Sequence, residues 1–209
     1  MNDALRRLGW RLGDAFFPPG RPVNGWALGG RAVTLAVAAD GWWFFRVPLR
    51  EIGENPKFIH GVLLVFHEAG QVIFGLCGNE FLRVAGGTLG QLLLPLALLV
   101  AFRCANRDAF GAALSAWLLG ASLADCTPYI NDARSLALVL LGGHTGREIE
   151  GHDWEYLLTR MNLLNRDVSI AHDLLLVARW LMALSLVWAA AELVRQFRAL
   201  RGGAGAASP

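Results

Sequence analysis

The sequence predicts an all-α integral membrane protein with about four transmembrane helices and a small N-terminal β-hairpin segment. Hydrophobic residues make up 55% of the 209 residues and charged residues only 17%, whereas about 25% of the residues of a soluble domain are charged. This composition excludes an ordinary soluble enzyme, and it is too apolar for a disordered chain. A formal net charge of +2 leaves no basic excess that would bind nucleic acid, and the partner expected instead is the lipid bilayer.

Four stretches are apolar enough to cross a bilayer, which requires about 20 predominantly apolar residues. The third stretch is short, and we expect it to run on toward Pro128, which is predicted to break the helix. Residues 135–143 are apolar but too few to cross, so we predict a re-entrant or partly inserted segment there. An amphipathic helix is expected at 153–164. The four predicted spans are residues 58–78, 84–102, 109–124 and 174–194.

The distribution of Lys and Arg predicts the orientation of these spans. Basic residues accumulate before the first span, between the second and third spans, and after the last span. An even number of spans places all three groups on one side, so both termini are expected to be cytoplasmic in a bacterial-type inner membrane. The N-terminus lacks a continuous apolar core and is not expected to be a cleaved signal. The predicted domains are residues 1–56, 57–196 and a flexible tail at 197–209.

The segment before the first span is expected to hold two local structures. Residues 31–48 are predicted to form a β-hairpin because Val33, Leu35 and Val37 alternate with smaller residues. Asp40-Gly41 then supplies the pair that a type I′ turn requires. Residues 3–17 have apolar side chains on one helical face, which predicts a short interfacial helix.

The first span contains ionisable residues at its centre, where each costs at least a few kcal/mol and usually has a function. His67 and Glu68 lie about ten residues from either end of this span. In zinc hydrolases with the pattern H-E-x-x-H, two imidazoles one turn apart hold the metal and the Glu acts as general base. Gln71 stands here where the second imidazole would be. We therefore expect Glu68 to be the catalytic residue, with His67 and Gln71 facing a zinc ion.

A further ligand would have to compensate for the missing imidazole. Asp132 and Asp125 both lie in the segment predicted to be broken by Pro128, and we rank Asp132 first and Asp125 second. His144 and His152 rank lower. His60 lies seven residues before His67 on the same helical face, about 10 Å away along the helix, which is too far to bind the same ion.

Three stretches of the chain carry a resemblance to known proteins. FHEAGQVIFGLCGNEFLRVAGGTLGQLLLPL, DCTPYINDARSLALVLLGG and GHDWEYLLTRMNLL resemble a group of small bacterial multi-spanning membrane proteins whose first motif reads HEAGH. That motif is similar to the motif of the site-2 proteases, which are intramembrane zinc metallopeptidases. The resemblance covers about residues 58–170. It implies that His67 is a metal ligand, that Glu68 is the general base, that Gln71 replaces the second His, and that Asp132 is the third ligand.

Other interpretations of the same residues stay open. The His-Glu pair could be satisfied without a metal by Arg134, Arg179 or Gln91, in a non-catalytic membrane scaffold or assembly subunit. A proton or small-solute pathway through His60, His67, Glu68 and Arg179 is a third interpretation. If the protein is a peptidase, its partner is a membrane-associated peptide. The spacing of Gly86 and Gly90 predicts a close approach of two helices in every case.

Overall fold

The computed structural model describes residues 13–14, 16–18, 23–41, 43–55, 57–149 and 151–206, without the side chains of 40 and 203–206. This part of the chain is helical and contains no strand. From residue 23 onward, the described part of the chain has three helices before the long ones: α1, Gly25–Asp40; α2, Trp43–Arg46; and α3, Leu49–Glu54. They are followed by α4, Phe58–Gly75; α5, Glu80–Val100, which continues as a π-helical turn, Ala101–Ala105; and α6, Ala109–Asn131. The last are α7, Asp153–Arg160; a 3₁₀ turn, Leu164–Arg166; and α8, Asp167–Ala206.

Four of these helical segments are long and apolar enough to cross a membrane. Many of their large apolar side chains are exposed, among them Val72, Trp180, Leu184 and Val187. The predicted number of four apolar helices of spanning length is therefore confirmed. The candidate spans are Phe58–Gly75, Glu80–Ala105, Ala109–Asn131 and Leu164–Gly202.

The described residues form two compact units. One unit takes its residues from 1–42, 96–118 and 182–209, and its core includes Phe110 and Ala189. The other unit takes its residues from 43–95 and 119–181. All the residues predicted to form the candidate site belong to this second unit.

The predicted β-hairpin at 31–48 is wrong, because this segment is helical in α1 and α2. Asn24 Oδ1 accepts a hydrogen bond from Ala27 N at 2.8 Å and caps the start of α1. The residues that alternate with Val33, Leu35 and Val37 are mostly Ala, the strongest helix former, so the alternation did not discriminate strand from helix. Gly41 N–H bonds to Ala38 O at the end of α1 instead of forming a hairpin turn. The helix predicted at 3–17 lies mostly outside the described residues.

Pro128 does not break α6, which continues to Asn131. A Pro inside a helix lacks the N–H that would bond to the carbonyl four residues earlier, here that of Ala124. Thr127 Oγ1 donates a hydrogen bond to Ala124 O at 2.7 Å. This side chain replaces the missing N–H at the Ala124 carbonyl. The third span reaches Pro128 as predicted, but the predicted break at Pro128 is wrong.

The segment between α6 and α7 is irregular. Leu136, Gly142 and Gly143 have positive φ angles, and Val139 forms an isolated antiparallel bridge with Thr145. Its re-entry into a membrane stays a prediction. At the C-terminus, α8 continues to Ala206 through residues for which a flexible tail was predicted. The side chains of Arg195 and Gln196 both donate to the Glu192 carboxylate just before these residues and support the helix there.

Glycines allow α4 and α5 to approach closely. A Cβ on Gly90 would lie 2.5 Å from Phe66 O, and one on Gly86 would lie 2.7 Å from Gly70 O. Both clashes involve backbone atoms, which cannot rotate away as a side chain can. The close approach predicted from the spacing of Gly86 and Gly90 is therefore confirmed.

We expect Gly90→Ala to lower the free energy of unfolding by about 1–3 kcal/mol, because the added methyl group must push the two helix backbones apart. Gly61→Ala is the matched control on α4, since a Cβ there meets nothing within 4 Å and Ala favours the helix by about 1 kcal/mol. Thermal unfolding of the two variants in detergent measures the difference. Equal stability of both would contradict this account of the packing.

Candidate functional site

Three predicted site residues lie on α4 and line one cavity of about 550 Å³. They are His67, Glu68 and Gln71. His67 and Gln71 are one turn apart and share a helical face. His67 is 8% exposed, whereas Glu68 is exposed and makes no hydrogen bond or ion pair with any described residue. The helix thus presents a buried imidazole, an amide and a free carboxylate to the same space.

Asp153, the first residue of α7, meets these side chains. His67 Nε2 lies 3.0 Å from Asp153 Oδ2, and Gln71 Nε2 donates to the same oxygen at 2.7 Å. The nitrogens of His67 and Gln71 are 3.5 Å apart. An imidazole, an amide and a carboxylate therefore converge at one end of the cavity.

The structure does not bring Asp132 to this point. Its carboxylate accepts hydrogen bonds from the N–H groups of Ala137 and Leu138, each at 2.9 Å, and from the Ser135 hydroxyl. Asp132 is therefore occupied in fixing the segment that follows α6. Asp132 was expected to be the third ligand beside His67 and Gln71, and its carboxylate does not meet them in the structure.

Asp132 also contacts the residue that positions Asp153. Its Oδ2 lies 3.4 Å from Nε2 of His152, and His152 Nδ1 accepts a hydrogen bond from Glu155 N at 3.1 Å at the start of α7. Burial lowers the pKa of His152, against the opposing effect of the Asp132 and Asp153 carboxylates. A neutral ring with its hydrogen on Nε2 fits both contacts, because Nδ1 must be an acceptor.

Tyr129 completes the support of α7. Its ring packs against the ring of His152 with centroids 4.2 Å apart, and its hydroxyl oxygen accepts a hydrogen bond from Asp153 N at 2.9 Å. The backbone and the side chain of Asp153 are thus both held. The phenolic hydrogen of Tyr129 remains free to donate into the cavity, which Tyr129 lines.

The other candidates from the sequence lie elsewhere. Asp125 bonds to His60 and Gln91 rather than to His67, and His144 is exposed and does not line the cavity. The residues considered as alternative partners of the His-Glu pair are also engaged with other groups. Arg134 pairs with Asp167, and Arg179 donates to the carbonyls of Phe44 and Val47.

A glycine on α5 makes room for the imidazole of His67. A Cβ on Gly87 would collide with the ring of His67, including Nε2. Any larger residue at this position would have to displace the imidazole from Asp153. The close approach of α4 and α5 therefore also determines where His67 lies.

The three converging atoms fit a divalent cation. None of the three pairs is more than 3.5 Å apart, so an ion slightly outside their plane can lie about 2.0–2.2 Å from each, the range of zinc bonds to N and O. Rotating the Gln71 amide by half a turn exchanges Nε2 and Oε1, and Oε1 is then the atom that would bind the cation. Within the described residues no group of three His, Cys, Asp or Glu side chains could hold a metal, so this set needs the Gln71 amide.

Sequence reasoning missed Asp153. It stands next to His152 in the stretch GHDW and opens a helix that was predicted to be amphipathic. An acidic residue in a first helical turn is ordinarily explained by the helix dipole, and this explanation gave no reason to place Asp153 beside His67 and Gln71. Only the fold shows that the start of α7 lies against the middle of α4.

Comparisons with protein-family models, curated proteins and solved structures found no match to this chain. The resemblance to the site-2 proteases therefore rests on the residues quoted above and stays a prediction. The geometry of the side chains carries the functional argument.

We expect Asp153→Asn to weaken zinc binding by more than about 100-fold, because loss of a ligand should exceed the 10- to 100-fold effect of losing a residue that only supports one. Glu155→Gln is the matched control, since it removes the same charge from the same turn and the same cavity wall. Titration of purified protein with Zn²⁺ measures both affinities. Strong binding that survives Asp153→Asn but not Asp132→Asn would reverse the assignment.

Proposed function

We propose that this protein is a membrane-embedded, metal-dependent peptidase whose candidate centre is formed by His67, Gln71 and Asp153, with Glu68 as general base. The observation that carries the proposal is the convergence of those three side chains beside an unpaired carboxylate in one cavity. His67 lies near the middle of α4, about 13 Å from either end of the helix. Ionisable groups at that depth usually serve a function.

Lipid is the proposed surrounding of the long helices. Large apolar side chains are exposed on three of the four candidate spans, whereas Ala109–Asn131 is mostly buried. A soluble monomer rarely exposes large apolar patches. The distribution of Lys and Arg supports cytoplasmic termini in a bacterial-type inner membrane. A segment of another membrane protein is then the natural substrate.

The residues of the cavity suit hydrolysis of a peptide bond. The bound cation, for which zinc is our candidate, would polarise the scissile carbonyl and the attacking water. Glu68 takes a proton from the water while the water oxygen bonds to the carbonyl carbon of the substrate. Glu68 then gives that proton to the amine nitrogen as the C–N bond breaks. Tyr129 donates its free hydrogen to the oxygen that becomes negatively charged. The products are a carboxylic acid and an amine, which together take up the two hydrogens of the water, so no other reactant is needed.

A scaffold without metal chemistry is the second candidate, and a specific observation favours it. Gln71 Nε2 donates to Asp153 Oδ2, and His67 with its hydrogen on Nε2 donates to the same oxygen, so the carboxylate is satisfied without a metal. Gln71→His separates the two candidates. Tight zinc binding that appears only in this variant would identify the native chain as a relative that has lost its metal.

We expect Glu68→Gln to abolish hydrolysis while zinc remains bound, since Glu68 is placed as the base and not as a ligand. Loss of a general base lowers the rate by about 100- to 10,000-fold. The assay uses zinc-loaded protein in detergent with a mixture of synthetic single-span peptides, and cleavage is detected by mass spectrometry. Metal content is measured on the same samples. Equal cleavage by Glu68→Gln and the parent would overturn the assigned role.

A further inference from the structure

A second polar cluster lines the same cavity at a distance from the candidate metal centre. His60 Nδ1 lies 2.9 Å from Asp125 Oδ1 and 3.1 Å from Oδ2, and Gln91 Nε2 donates to Asp125 Oδ2 at 3.0 Å. His60 is the third residue of α4, seven residues before His67, or about 10 Å along the helix. The proposed chemistry at His67 does not use this cluster.

The arrangement leaves acceptor atoms available to a ligand. When the His60 ring is neutral and its Nδ1 donates to the Asp125 carboxylate, Nε2 is an acceptor. It has no hydrogen bond with any described residue, and the His60 side chain is 40% exposed. The Thr88 hydroxyl, on the same cavity wall, is buried and also lacks a partner in the described part of the chain. Both atoms are therefore available to a ligand in the cavity.

The charge of the wall indicates what that occupant is. Five carboxylates line the cavity, and Arg83 is the only Lys or Arg among its described lining residues. Arg83 is already paired with one of them, Glu80, at 2.5 Å. A divalent ion at Asp153 would offset two of the four remaining negative charges and leave two, and Asp125 bonds to His60 rather than to the residues that would hold the ion. A cavity with such a field attracts cationic ligands and repels anionic ones.

We propose that Asp125 and His60 form a subsite for a Lys or Arg side chain of the peptide substrate, about three residues from the bond that is cleaved. This inference rests on the proposed function. An extended chain advances about 3.3 Å per residue, so three residues cover the distance from His67 to His60. The cationic group donates to the Asp125 carboxylate and to His60 Nε2, which are both acceptors.

The position of the subsite agrees with this kind of substrate. His60 lies at the end of α4, which is the end of a candidate span. Lys and Arg concentrate at the ends of membrane spans in cytoplasmic segments. A peptide with its scissile bond near His67 would place the basic flank of its own span at His60.

The experiment varies the peptide and leaves the protein unchanged. Apolar single-span peptides carry one Lys, which is moved two residues at a time, and the cleaved bond is located by mass spectrometry. We expect the cleaved bond to move with the Lys and to stay about three residues from it. Replacing the Lys by Gln should raise KM about 10- to 100-fold, the ratio for one charge-assisted hydrogen bond, with little change in kcat.

Variants of the protein then assign the effect to Asp125. Asp125→Asn should abolish the dependence on Lys and Asp125→Glu should restore it, whereas Glu155→Gln, which removes the same charge elsewhere on the wall, should leave the dependence in place. Cleavage that ignores the position of the Lys, or a dependence that survives Asp125→Asn, would overturn the subsite and leave the peptidase standing. Binding of labelled peptides to Glu68→Gln protein tests the subsite without hydrolysis. Lys-dependent binding that requires Asp125 but is followed by no cleavage in the parent would refute the peptidase alone.

Discussion

Asp153 Oδ2 accepts hydrogen bonds from His67 and Gln71, two side chains of α4, and the Asp153 side chain is only 12% exposed. A carboxylate in such a place is expensive to bury unless donors or a cation compensate it. Three neighbouring residues keep this contact in place. His152 caps the start of α7, Tyr129 accepts a hydrogen bond from the Asp153 backbone, and Asp132 fixes the segment that leads to α7. Asp132, expected to bind metal, instead fixes this segment, and Asp153 is the carboxylate that meets His67 and Gln71.

The close approach of α4 and α5 is the second constraint. Glycines weaken a helix by about 1 kcal/mol each relative to Ala, yet Gly70, Gly86 and Gly90 occur where the two backbones touch, and Gly87 occurs where His67 needs space. These glycines lower the helix propensity of α4 and α5, and they allow the two helix backbones to lie close together. The imidazole is thereby held against α5, with its Nε2 directed at α7. A small-residue spacing that is ordinarily explained by packing alone thus also positions the candidate site.

The sequence was sufficient to predict the four apolar helices, the close packing at Gly86 and Gly90, and the shared face of His67 and Gln71, because each depends on local periodicity or spacing. It failed at residues 31–48, where alternation with Ala fits a strand and a helix equally well. It also failed at Asp153, because the partner of α4 is set by the path of the chain from Asp132 to His152, which no local pattern encodes. Pro128 was expected to break a helix, and Thr127 supplies the hydrogen bond that prevents the break.

Zinc X-ray absorption on the purified, zinc-loaded protein tests the central claim most directly, because it reports the number and kind of ligand atoms. The account predicts one imidazole nitrogen together with oxygen donors at about 2.0–2.2 Å. The nitrogen signal should belong to His67 and vanish in His67→Ala. A spectrum with two or more imidazoles, with sulfur, or with the pattern of hydrated zinc alone would contradict the assignment of His67, Gln71 and Asp153.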